Sequence, residues 1–176
     1  MNDDEMKSTS LGVAIVAALA LCACGISASK VSNNALRTIQ PTPILCQIIP
    51  RIDRLTVTRL APGNEFTFSL PGVVDVTNYS LAREVASSAC ALPDTQPGVL
   101  HCPAAFAVSY RLDFDVKGVK GFGGEVIYLY PTGCQTITNL GSVRTTSSDF
   151  YRQLAQAMGF NNGNNLTFSG TPRAGV

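Results

Sequence analysis

The sequence has no tryptophan, a single histidine (His101) and few charges, with Asp, Glu, Lys and Arg making only 14% of 176 residues. One imidazole excludes a zinc site built on several histidines within one chain, and any Ser-His-Asp or Cys-His device has to run through His101. Lys+Arg 13 nearly cancels Asp+Glu 12, so the basic excess that marks nucleic-acid binding is missing. Hydrophobic residues at 45% argue against wholesale disorder. The length suits one folded domain, and no internal repeat is evident.

The longest apolar run, Leu11 to Ala23, covers 13 positions. A membrane span needs about 20, so the run reads as the core of a signal peptide. Asp3, Asp4 and Glu5 contradict the positive flank of such a leader; a start at Met6 places Lys7 ahead of the core and removes the conflict. Leu21-Cys22-Ala23-Cys24-Gly25 resembles the bacterial lipobox. The resemblance implies cleavage after Ala23, lipidation of Cys24 and a mature chain held by two or more acyl chains, palmitate among them, which anchor stably where one does not. Gly25 to Pro43 is rich in Ser, Asn, Thr and Pro without apolar period and reads as a flexible tether. The expected organisation is a leader over 1–23, a lipidated tether over 24–43, one domain over 44–160 and a polar tail over 161–176.

With Cys22 lost in the leader and Cys24 carrying lipid, Cys46, Cys90, Cys102 and Cys134 remain. An even number outside the cytoplasm reads as two disulfides, with three possible connectivities. Cys102 with Cys134 is favoured because the segments next to them read as adjacent antiparallel strands, which leaves Cys46 with Cys90; Cys90 with Cys102 is the rival. No Cys-x-x-Cys pair outlasts the leader, so a metal cluster or catalytic thiol is not expected.

Phe106 to Val116 alternates Phe, Val, Tyr, Leu, Phe and Val with Ala, Ser, Arg, Asp and Asp, the two-residue period of a sheet with one packed and one wet face. The glycine-rich Lys117 to Gly124 then turns into a partner strand, Glu125 to Tyr130. Ile52 to Leu60 and Glu65 to Leu70 flank Ala61-Pro62-Gly63-Asn64 as a second hairpin, with Val73 to Val76 as its extension and Gln135 to Thr138 as an edge. Ser80 to Leu92 has helical spacing of Leu81, Val85, Ala89 and Leu92, with Asn78 or Ser80 as cap. A second helix starts at the capping-box-like Thr146-Ser147-Ser148-Asp149, carries Phe150, Leu154, Ala157 and Met158, and stops at Gly159. These elements predict an α+β fold: an antiparallel sheet of four to five strands, two helices packed on one face, and disulfides stapling it.

Few residues present chemistry. Asp113 and Asp115 share a strand face about 7 Å apart, a spacing open to acid/base work or calcium, but a solvated face with Arg111 as neighbour explains them. His101 has no identifiable nucleophile beside it. Gly118, Gly121, Gly123 and Gly124 with Lys117 and Lys120 imitate a phosphate loop, yet a strand follows where a helix N-terminus is required. Asn78-Tyr79-Ser80 and Asn165-Leu166-Thr167 match the glycosylation sequon, which the lipobox makes irrelevant. Tyr128 and Tyr130 share a strand face, and Tyr110 on the neighbouring strand places them on the core side.

Cys90-Ala91-Leu92-Pro93, His101-Cys102-Pro103, Tyr110-Arg111-Leu112-Asp113-Phe114, Gly133-Cys134 and Leu154 to Gly159 together resemble an uncharacterised domain of secreted proteins and lipoproteins of actinobacteria and related bacteria. That resemblance covers roughly Leu55 to Gly159, leaves Cys46 outside, and implies an address but no activity. A weaker likeness is to the subtilisin-inhibitor-like family, in which Cys-Pro precedes the reactive bond; it implies that Ala104 and Ala105 meet a protease, braced by Cys134.

The expectation is therefore a non-catalytic binding or structural module, lipid-anchored through Cys24 on the extracytoplasmic face of the bacterial membrane or else secreted. It needs no cofactor and no metal, takes a protein or glycan partner and no nucleic acid, and has protease inhibition as the alternative.

Overall fold

The computed structural model describes residues 41–61, 65–96, 98, 102–103, 108–117 and 124–173. A short helix α1 (Ile44–Ile48) buries Leu45 and runs through a 3-10 turn (Ile49–Arg51) into the long strand β1 (Ile52–Leu60). The segment after β1 gives β2 (Phe66–Thr67) and β3 (Val73–Val76), and α2 (Tyr79–Ala91) follows. Four strands come next: β4 (Ser109–Val116), β5 (Glu125–Tyr130), β6 (Thr136–Leu140) and β7 (Ser142–Thr145). Two helices, α3 (Ser148–Ala157) and α4 (Asn165–Ser169), and a terminal β8 (Thr171–Pro172) end the described chain.

The fold is α+β with an antiparallel sheet and two disulfides, Cys46 to Cys90 and Cys102 to Cys134. Among the described residues the sheet has six strands in the order β3-β1-β4-β5-β6-β7, where four to five were expected, and four helices take the place of two. Three differences account for the change. Val73–Val76 does not prolong the preceding segment; the chain turns at Pro71-Gly72 and β3 pairs back onto β1 in register Thr56 with Asp75. Of Glu65 to Leu70 only β2 is strand, and it pairs with β8 in a separate ribbon. Arg59 of β1 ties down the segment after β2, donating from Nη1 to the Leu70 carbonyl at 2.7 Å while its guanidinium lies 3.9 Å above the Phe68 ring. The expected edge at Gln135–Thr138 is an inner strand, β6, because Asn139 (φ 66°) and Gly141 (φ 74°) turn the chain into β7.

Apolar alternation fixes which face the helices cover. Leu55 and Val57 of β1, Tyr110, Leu112 and Phe114 of β4, Ile127 and Leu129 of β5, and Ile137 of β6 are all buried on one side. They meet Ala82, Val85, Ala86 and Ala89 of α2 and Phe150, Leu154 and Ala155 of α3. The alanine-rich face of α2 lets its backbone lie close to β1 and α3, the elements it touches most. Asn78 caps α2 by accepting from the Ser80 and Leu81 amides. The cap of α3 is Ser147, whose Oγ accepts from the Phe150 amide, rather than Thr146; the Thr146 hydroxyl donates to the Gln135 carbonyl at 2.7 Å instead.

The segment expected to be a polar tail is built into the core. α4 carries Phe168, fully buried, edge-on to Tyr110 with centroids 5.4 Å apart. The Tyr110 hydroxyl donates to the Phe168 carbonyl at 2.9 Å. A capping box on Asn164, with Thr167 answering, starts this single turn of helix inside an Asn-rich stretch.

Candidate functional site

The opposite face of the sheet carries no described helix. Cross-strand register orders its side chains in rows: Val73, Thr58, Arg111, Tyr128 and Thr138 in one, and Asp75, Thr56, Asp113 and Val126 in the next. Arg54 sits opposite Asp115, and Tyr130, Thr136 and Thr145 form a third row towards β7. Tyr128 and Tyr130 thus lie on the wet face, opposite the core side where Tyr110 placed them, because Tyr128 pairs with Arg111 and not with Tyr110. Tyr130 is 40% exposed.

The two arginines here each pair with one carboxylate, and Asp75 takes a hydroxyl instead. Arg111 Nη2 lies 2.7 Å from Asp113, and Arg54 donates from Nε to Asp115 at 2.7 Å, while Asp75 accepts from the Thr56 hydroxyl at 2.7 Å. The bond and charge of Asp115 raise the Arg54 pKa further above its already high ordinary value. Asp113 and Asp115 are therefore two arginine-paired carboxylates on a solvated surface, where such pairs contribute little stability. Among the described residues no three His, Cys, Asp or Glu side chains converge as metal ligands.

A second concavity, of about 350 Å³, opens at the β7 edge between the β6–β7 turn, the chain entering α1 and the end of α2. Arg144 lies in its wall. Its Nη1 donates to the Cys90 and Leu92 carbonyls at 2.5 and 3.2 Å, and its Nε lies 3.7 Å from Asp94 Oδ1. Asp94 also accepts from the Ser142 hydroxyl and bridges to Arg144 through the backbone. The Cys46–Cys90 disulfide forms part of the lining. Sequence reading did not single out Arg144; the only signal was that Ser-Val-Arg-Thr alternates the wrong way, sending the arginine inward and Val143 outward, where it is 46% exposed.

The lipobox with Cys24, His101, the Ala104 and Ala105 pair, and Gly118, Lys120, Gly121 and Gly123 all lie outside the described residues. Gly124 is described, and a side chain there would strike the Phe114 carbonyl, so this glycine serves close strand approach. Among the described residues no helix is long and apolar enough to cross a membrane. No family model, curated protein or solved structure matches the chain.

Proposed function

We propose that this protein is a non-catalytic binding module of the bacterial envelope, lipid-anchored through Cys24, that engages a protein or glycan partner with the helix-free face of its sheet. The observation behind the reading is the Tyr128–Tyr130 pair on that face, set among mutually neutralised arginines and carboxylates and flanked by threonine hydroxyls. Tyrosine offers a rigid apolar ring with a polar tip, and Tyr and Arg anchor interfaces disproportionately. Paired charges can turn outward to donate or accept, and with Asp75 the face keeps only a small negative excess.

The test is retention, on its own envelope fraction, of the chain from Gly25 onwards, which lacks the lipid anchor and so is held only through its partner. Tyr128→Ala with Tyr130→Ala should lower retention by about tenfold, the loss of one modest hot spot, while Leu166→Ala, exposed on α4 away from that face, leaves it unchanged. Equal retention of both variants would discard the sheet face as the binding surface.

The alternative, inhibition of a subtilisin-type protease at Ala104-Ala105, draws on the link between Cys102 and Cys134, the brace that the family likeness implies. It expects stoichiometric inhibition that Ala104→Pro abolishes, and fails if the protease stays fully active in excess protein.

A further inference from the structure

We propose that the concavity at the β7 edge binds a free α-amino acid with an apolar side chain, its carboxylate on Arg144 and its ammonium on Asp94. This site is separate from the sheet face and does not depend on its role.

Arg144 is fixed before any ligand arrives. Its side chain is 13% exposed and Nη1 is bound to the two carbonyls that end α2. Nη2 has no protein partner among the described residues, and Nε is buried without a hydrogen bond. A guanidinium held in this way keeps a defined orientation, and Nη2 is the group left to donate a charge-assisted bond to a carboxylate. Asp94 stands beside it with its side chain 61% exposed. Its Oδ1 takes the Ser142 hydroxyl, and Oδ2 has no protein partner among the described residues.

The charge balance selects the ligand. The carboxylate of Asp94 and the carbonyl end of α2, which carries partial negative charge, offset Arg144. A simple anion is repelled by Asp94 and a simple cation by Arg144. A group that holds both charges on adjacent atoms satisfies both walls, and the head of an α-amino acid is the compact case. Pro41, Pro43 and the Cys46–Cys90 disulfide supply apolar wall for the side chain. About 350 Å³ lies at the small end of the volumes that ligand pockets span.

The experiment titrates the full chain in detergent with L-leucine, N-acetyl-L-leucine and L-leucinamide, reading NMR shifts of the Arg144 Nε–H and of the Gly141 and Ser142 amides. Leucine should give saturable shifts at these groups. Capping either end should weaken binding by about tenfold or more, the loss of one charge-assisted contact. Asp94→Asn keeps an acceptor for Ser142, so it should weaken leucine yet strengthen N-acetyl-leucine, which no longer meets the opposing carboxylate. A purely structural effect of that substitution would weaken both. Absence of saturable leucine shifts, or equal binding of leucine and N-acetyl-leucine to the native protein, overturns the proposal.

Discussion

Two buried tyrosines tie the alkaline limit of stability to single side chains. Burial pushes both Tyr110 and Tyr151 up to about 12, with Arg59 partly opposing the shift at Tyr110 and the Thr146 hydroxyl partly opposing it at Tyr151. An unfolded tyrosine titrates near 10. Between about pH 10 and 12 the unfolded chain therefore holds fewer protons than the native one, and stability falls as pH rises. The urea midpoint should be level from pH 7 to 9 and then drop, with Tyr110→Phe flattening part of that drop. At neutral pH the same substitution leaves the Phe168 carbonyl without its donor and should cost about 1 kcal/mol. Tyr110 was readable as a core residue because its strand alternates cleanly. Tyr128 was not, since in Glu-Val-Ile-Tyr-Leu-Tyr both alternating sets carry large apolar or aromatic residues, and the lone Glu125 falls in the set that turns inward; the pairing with Arg111 settles which set faces water.

At the scale of elements, the helices and the long strands were legible from periodicity, whereas the pieces missed are those whose order comes from distant partners. β2 and β8 are two residues each and exist through one another across the chain. β7 hides behind its inward arginine, and α4 behind a run of asparagines in which Phe168 alone marks burial. The sheet-face rows followed from β4, but the amino-acid site needed the meeting of α2's end with β7, which no local pattern encodes. Phe168→Ala should cost about 3 to 5 kcal/mol in chemical unfolding, as for a large core aromatic; a loss below about 1 kcal/mol would mean that α4 is merely laid on the surface. Gly163 is a sharper probe. A methyl there would meet the Ala155 methyl and the Tyr151 carbonyl, so Gly163→Ala should destabilise by about 1 to 3 kcal/mol.

For the whole molecule, two disulfides cross-link the described chain, Cys46 to Cys90 and Cys102 to Cys134. Replacing Cys46 and Cys90 by alanine should lower stability by about 2 to 4 kcal/mol, since the closed loop spans 44 positions. Differential scanning calorimetry of that variant against native protein measures the loss; an unchanged transition would mean that the unfolded chain is not restrained by the link. Intact mass from the native envelope, before and after reduction and alkylation, should give a chain starting at Cys24 with added acyl mass and four half-cystines. The Cys46–Cys90 bond has a mechanical consequence as well. Tension applied through the residues before Pro41 reaches Cys46 first and crosses directly to Cys90, so the chain between them carries no load. β1, β3 and most of α2 lie in that shielded stretch. Stretching the oxidised protein therefore cannot lengthen these elements, and the β3–β1 side of the sheet is drawn out only once the bond is reduced.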